Sequence, residues 1–303
     1  MFSINYSRIF ISVKINFKMA LQSSGPISIS QIKTELGSGS YSLRTLSAAA
    51  GKSTPDAMSE FYGYSAGAYK YGSPQLVFDF AQTSQYSNSG TSIADLSGNG
   101  NNGTFSTGTG NGSATTVSGY SSSGYLNLPG SGSQLSVRIP DGLKPTGTAS
   151  FTFVVHMKPI GYSYNGNYPG ILSHGDSSIG LSWYLDGGDL RYAAWRDVNC
   201  GSNGYSYLPY SSSVGLGNWG TYFFRGNSSS QQVHLYRSGT LYSGNNEATT
   251  CTIGSSGSWG FFLGLRYNQW INADISYVAI YNSYLSTGDL TAIGSALSSR
   301  APS

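Results

Sequence analysis

The sequence predicts an all-β sandwich preceded by a small module of short helices. Three observations carry that expectation: a composition of turn formers and aromatics, apolar alternation in short segments after residue 75, and helix punctuation concentrated in residues before 66. The 303 residues include 41 Gly, 24 Tyr and 13 Phe, and 39% of the chain is hydrophobic. Aromatic side chains suit strands, whereas Gly, Asn and Ser suit turns. Only 10% of residues are charged, against roughly 25% in an average soluble domain. Ser, Thr, Asn and Gly must therefore keep the surface wet.

The elements follow in order. Residues 1–18, MFSINYSRIFISVKINFK, are broken by Lys14 and lack a small-residue cleavage site, so they do not read as a signal peptide. They also fall short of the ~20 apolar residues of a membrane span. They are expected to be an extension, with Met19 opening the functional module and Met1 the other possible start. No other stretch is apolar enough for membrane insertion.

The module spans residues 19–65. Ser30 is expected to cap a turn through Leu36, with Gly37 as the stop. A second segment runs from Ser42 to Ala50 with Leu43 and Leu46 on one face. A third has Thr54 as N-cap, Pro55 in the first helical position, and Met58, Phe61 and Tyr62 on one face. Segments this short do not nucleate alone; they need one another or a partner surface. Ile29, Ile32, Leu36, Leu43, Leu46, Met58, Phe61 and Tyr62 are the candidate docking residues.

Residues 66–74, AGAYKYGSP, read as a hinge, and the sandwich is expected over 75–303. Its strands are expected at Leu76–Phe80, Leu135–Ile139, Ser150–Met157, Ile179–Leu185, Leu190–Trp195, Thr221–Arg225, Val233–Arg237, Trp259–Leu265 and Ala273–Tyr281. Residues 83–124 read as long connections with one or two weak strands. A closing helix is expected over Thr287–Ser298. No fixed repeat supports a propeller or β-helix, and no heptads reveal a homo-oligomer, so oligomeric state stays open.

Several function classes fall away. The net charge of +3 is small and dispersed, without the basic face that nucleic-acid binding requires. Cys200 and Cys251 lack CxxC spacing; a cross-strand pair and two isolated thiols both stay open. Gly63-Tyr64-Ser65-Ala66-Gly67 matches G-x-S-x-G but follows a helix instead of a strand, and Ser30–Lys33 matches S-x-x-K without its companion motifs. Glycoside hydrolysis needs two flanking carboxyls. The chain has three glutamates, Glu35, Glu60 and Glu247, of which only Glu247 lies in the sandwich, in a loop-like GNNEATT. Asp186 and Asp189 in LDGGDL read as a hairpin turn. No enzyme activity and no cofactor are expected. His156, His174 and His234 have no ligand-like neighbours; Asp95, Asp176 and Asp197 could serve calcium, but each reads first as a turn residue.

The positive signal is tyrosine. Tyr162, Tyr164 and Tyr168 lie in GYSYNGNYPG, and Tyr205, Tyr207 and Tyr210 in GSNGYSYLPYSSS. Tyr, Ser, Gly and Asn together make binding-loop chemistry, and Tyr rings stack on sugar faces; filling a lightly charged surface is the alternative use. These six tyrosines are the candidate ligand residues.

Two resemblances add to this. ALQSSGPISISQIKTELGSGSYSLRTLSAAAGKSTPDAMSEFYGYS, Ala20–Ser65, resembles an attachment module of tailed-bacteriophage structural proteins through its ALxSSGPIS start, S-x-I-x-x-E-[LF]-G step, S-L middle and MSxFYG close. It implies a virion location (tail, baseplate, neck or head) and other virion proteins as partners. Residues 75–297 resemble the concanavalin A-like/laminin-G superfamily, a jelly-roll sandwich. The likeness rests on DLSGNGNNGTF at Asp95–Phe105, SFTFVVHM at Ser150–Met157, the Trp219–Gly239 hairpin and DISYVAIYNSYLSTGDL at Asp274–Leu290. That superfamily spans lectins, glycosidases and inert spacers, so its fold does not choose a function. The expectation is a virion appendage or decoration protein whose sandwich contacts host-surface glycans; a polysaccharide depolymerase or a bacterial surface lectin is the alternative.

Overall fold

The computed structural model describes residues 21, 25–36, 40–49, 54–62, 71–80, 90–108, 113–116, 124–130, 134–161, 169–175, 180–186, 191–196, 204–208, 216–244, 247–248, 260–266 and 269–298. The chain divides into two compact units, residues 1–66 and 67–303.

The first unit holds helices Ile29–Leu36 and Leu43–Ala49 and a 3₁₀ turn Met58–Phe61. Leu21, Ile32, Leu46 and Phe61 are buried together, with Ile27, Ile29, Leu43 and Met58 packed around them. The segments therefore order one another through their apolar sides. Ser47 Oγ donates to Glu60 Oε2 at 3.2 Å, and Arg44 pairs with Asp56 at 2.9 Å, tying the second helix to the third segment.

Local signals differ from expectation in two places. The first cap is Ser28, not Ser30: Gln31 N donates to Ser28 Oγ at 3.2 Å, and Ser28 N donates to Gln31 Oε1 at 2.7 Å. This reciprocal capping box satisfies two otherwise orphaned N–H groups and gives Gln31 its role. Thr54 and Pro55 do not start the third segment, because Ala57 is still extended (φ −137°, ψ 145°) and makes no side-chain cap. The segment is 3₁₀, in which residues i and i+3 eclipse. Met58 and Phe61 thus share the inner side, while Tyr62 is 45% exposed.

The second unit is a two-sheet β-sandwich with a closing helix. Across the narrow sheet, strands Leu76–Asp79, Asn272–Tyr281, Phe151–Gly161, Gly220–Gly226, Ser230–Arg237 and Thr240–Ser243 lie side by side. Leu126–Pro129 pairs with Asn272–Tyr281, and Glu247–Ala248 pairs with Ser230–Arg237. Glu247 is therefore in a short strand, where a loop was expected. In the wide sheet the order is Gly204–Leu208, Arg191–Arg196, Gly180–Asp186, Gly170–Gly175, Phe261–Leu263, Leu135–Ile139, Gly103–Thr107 and Ser92–Ile93.

Between the sheets lies the main core, including Phe78, Phe105, Val137, Phe153, Trp183 and Phe224. Phe151–Gly161 shows how the sequence builds it. Phe151, Phe153, Val155 and Met157 enter this core, while Val154 points to the opposite, outer side. That side is apolar too because the helix Thr287–Ser298 covers it: Leu290, Ile293 and Leu297 pack on Val154, Phe223, Tyr236 and Tyr277. Ser286 caps the helix, donating its N–H to Asp289 Oδ2 at 2.8 Å and accepting from Asp289 N at 3.2 Å. The helix occupies the span expected from the sequence.

Other expectations need correction. Within the expected hinge of residues 66–74, Tyr71 donates its hydroxyl proton to Asp289 at 2.7 Å and Asn99 Nδ2 donates to Pro74 O at 3.0 Å, while residues 66–70 lie outside the described residues. Leu126–Pro129 and Gly170–Gly175 are strands without an expected counterpart. Gly204–Leu208 is an edge strand, not a loop, pairing Tyr205 with Trp195 and Tyr207 with Ala193. The expected Trp259–Leu265 strand divides into Phe261–Leu263 and Leu265–Arg266 at Gly264. Gly264 has φ +86°, and a Cβ there would fall 2.4 Å from Leu128 Cδ1, so only glycine allows this break.

Candidate functional site

The helix covers only part of the outer face of the narrow sheet. The remainder carries a polar and aromatic cluster whose placement follows from strand register. In Asn272–Tyr281 the alternation changes parity: Ala273 and Ile275 enter the core, but so do Val278 and Ile280. The cause is a β-bulge between Ile275 and Tyr277 that adds Ser276. Asp274 and Tyr277 consequently both face outward.

Asp274 stands opposite Lys158 on one neighbouring strand and opposite Asn127 on the other. Lys158 Nζ lies 2.9 Å from Asp274 Oδ2, and Asn127 Nδ2 donates to Asp274 Oδ1 at 2.7 Å. The carboxylate side chain is 4% exposed, so a buried charge is matched by a cation and an amide. One step beyond the Gly220–Met157 pair, Trp219 occupies the next place in this row.

The Trp219 indole lies nearly parallel to the His156 ring, with centroids 5.3 Å apart and planes at 12°. His156 is buried and its Nδ1 is 2.9 Å from Thr221 Oγ1. Tyr125 meets the indole edge-on at 5.9 Å and 62°. Lys158 Nζ lies 5.7 Å from the Tyr125 centroid and 5.6 Å from that of Trp219. The Trp219 carbonyl accepts from Arg237 Nε at 3.1 Å. Both aromatic residues are half-buried. Such an arrangement offers a fixed aromatic face with polar groups at its rim, as ligand sites do.

The expected site residues are distributed differently. Tyr162, Tyr164, Tyr168 and Tyr210 lie outside the described residues, as do Asp176, Asp189, Asp197, Cys200 and Cys251. Tyr205 is described only by its backbone. Tyr207 is half-buried on an edge strand, and its carbonyl oxygen would lie 2.5 Å from a Cβ at Gly244. Of the docking candidates, Ile32, Leu46 and Phe61 are fully buried in their own unit, and the Leu36 side chain is outside the described set. Tyr125, Lys158, Trp219 and Asp274 were not singled out from the sequence.

Asp95 has a structural task. Its carboxylate accepts the N–H groups of Val77 at 3.0 Å, Ser97 at 2.8 Å and Asn101 at 2.9 Å, and the Ser97 hydroxyl at 2.7 Å. The SGNGN loop is thereby stapled to the first strand, and the oxygens that calcium would need are taken. Burial alone would raise this carboxyl, but the four donors outweigh it and hold it below the usual carboxylate range. Among the described residues no group of three or more His, Cys, Asp or Glu converges as a metal site, and no helix is long and apolar enough to cross a membrane.

His234 touches a hydroxyl, with Nδ1 2.8 Å from Ser243 Oγ. Burial pushes its ring down to about 3, and the nearby Arg225 charge adds to this. A base that weak cannot activate Ser243 near neutral pH. Asp141 pairs with Lys144 and Arg138 at 3.0 and 3.1 Å, and Asp289 caps the last helix.

No known sequence family matches the chain, and no curated protein matches it in sequence. Solved structures do match in fold. Domain 4 of AbnA, a GH43 extracellular arabinanase from Geobacillus stearothermophilus solved in complex with arabinotriose, aligns with a TM-score of 0.52 at 14% identity, over 74% of this chain and 100% of that one. The binding domain of botulinum neurotoxin DC, in complex with SialylT, aligns with a TM-score of 0.50 at 14% identity, over 76% of this chain and 52% of that one. The chain thus spans about half the length of the neurotoxin domain. The likeness is one of fold, a mainly β sandwich of two sheets with few short helices.

Proposed function

We propose that this chain is a structural protein of a bacteriophage virion whose sandwich binds carbohydrate. Residues 19–65 would dock on other virion proteins at the tail, baseplate, neck or head, and the sandwich would be displayed to host-surface glycans. The observation that supports glycan binding best is the sandwich itself, which spans the whole of an arabinanase domain solved with arabinotriose. The neurotoxin binding domain, solved with SialylT, supports it further. Support for the virion location is the ALQSSGPIS to MSEFYG sequence. Binding without turnover is favoured because Asp95, Asp141, Asp274 and Asp289 each hold a structural partner.

Two experiments test the two halves. The full chain, labelled and applied to a glycan array, is expected to retain a defined set of saccharides; retention of none overturns the glycan half. Particles purified from lysates of a host carrying the gene are expected to contain the chain, and deletion of residues 19–65 is expected to remove it. Truncated protein that still co-purifies stoichiometrically overturns the docking half.

A further inference from the structure

We infer that Trp219 is the stacking platform of a saccharide site on the outer face of the narrow sheet, and that the site takes the pyranose ring of a neutral glycan. This rests on the glycan-binding reading above and assigns it a location and a ligand class.

The platform is fixed before any ligand arrives. The indole stacks on His156 with ring centroids 5.3 Å apart and planes at 12°, and His156 is itself buried against Thr221. Lys158 Nζ stands over the ring 5.6 Å from its centroid, and the indole stays half-buried. Tyr125 holds the edge of the ring at 5.9 Å, and Arg237 holds the Trp219 carbonyl. A ring held by stacking, at its edge and through its backbone loses little freedom on binding, which lowers the cost of association.

Polar groups at the rim are open. Within the described protein, neither the Trp219 indole N–H nor the Tyr125 hydroxyl has a hydrogen-bond partner, and neither atom is among the buried, unsatisfied ones. Each therefore meets solvent and can reach a ligand hydroxyl. Trp and Tyr combine an apolar body with such a polar tip. A pyranose is their counterpart, with a C–H face for the ring and equatorial hydroxyls for the rim.

Charge selects the class. The Lys158 cation is matched by Asp274 at 2.9 Å. Arg237 directs its N–H groups to the carbonyls of Trp219 and Asn218 and to the Tyr222 hydroxyl. Among the described residues, Lys158 and Arg237 beside the platform are thus both engaged by protein partners, which leaves an acidic saccharide no unengaged countercharge from them.

The test is isothermal titration of the full chain with cellohexaose, maltohexaose, xylohexaose and mannohexaose, and with hexagalacturonate as the acidic counterpart. At least one neutral hexaose is expected to bind. Trp219→Ala should weaken it at least tenfold, Trp219→Phe should lie between, and Tyr125→Phe should weaken it several-fold; near-UV circular dichroism reports whether each variant is folded. Trp219→Phe keeps a ring over His156 and serves where Trp219→Ala does not fold. Unchanged affinity in folded Trp219 variants overturns this site while leaving glycan binding intact. Preference for hexagalacturonate overturns the neutral class. Binding of no neutral hexaose by the unmodified chain overturns this inference, while the glycan reading stands or falls by the array.

Discussion

Replacing His234 by Asn should remove a specific part of the acid sensitivity of the sandwich. His234 is fully buried on the strand Ser230–Arg237, with Nδ1 2.8 Å from Ser243 Oγ. Burial, aided by the charge of Arg225, lowers its pKa from 6.5 to about 3. The folded protein therefore keeps this ring neutral, while the unfolded chain takes up a proton as pH falls below 6.5. The contribution is fully present above that value and is lost progressively as pH falls toward the folded pKa. Each unit of pH in this window is worth about 1.4 kcal/mol. Between pH 6.5 and about 4.5 the loss is about 2 kcal/mol. An Asn amide can still meet the Ser243 hydroxyl but cannot take up a proton. Urea unfolding followed by tryptophan fluorescence at several pH values measures the difference. Unmodified protein should lose about 2 kcal/mol more than His234→Asn over this interval; the other histidines and the carboxylates are common to both and cancel. Parallel pH profiles for the two proteins would refute the reasoning.

Three further predictions concern the sandwich. Lys158→Met leaves the buried Asp274 carboxylate without its cation and should cost about 3–5 kcal/mol in urea unfolding, and adding Asp274→Asn should recover most of that. Gly294→Ala puts a Cβ 2.3 Å from Tyr236 Cγ beneath the closing helix; overpacking of this kind costs about 1–3 kcal/mol, seen as a lower thermal midpoint. Asp95→Asn faces an amide N–H₂ toward N–H donors and should cost about 2 kcal/mol or more at neutral pH. Because the folded Asp95 pKa is lowered, its contribution is present above the unfolded carboxyl value and is lost as pH falls through the folded one. The Asp95→Asn protein should accordingly lose less stability than the unmodified protein on acidification below about pH 4.

Much of the sandwich was legible because both faces of its central strands are covered or half-covered. Ser150–Met157 announces itself by alternation, and Thr287–Ser298 by its punctuation. Gly204–Leu208 was hidden by composition: GYSYL serves a binding loop or an edge strand equally well, and only its pairing with Arg191–Arg196 decides. The first cap was misplaced because Ser28 and Ser30 both precede apolar residues, and only reciprocal bonding with Gln31 separates them. Nothing local reveals the Trp219 cluster. Its members come from four strands or strand ends, and Asp274 faces outward only because Ser276 shifts the alternation. That shift is a property of pairing with Phe151–Gly161 and leaves no periodic signal of its own.

The central claim, that the sandwich holds neutral saccharide on Trp219, is met most directly by a crystal structure of the full chain with a bound neutral hexaose. The account predicts a pyranose ring parallel to the Trp219 indole at about 4 Å, a van der Waals distance, with sugar hydroxyls on the Trp219 N–H and the Tyr125 hydroxyl. A hexaose seated elsewhere on the sandwich, with the Trp219 face bare, would contradict it.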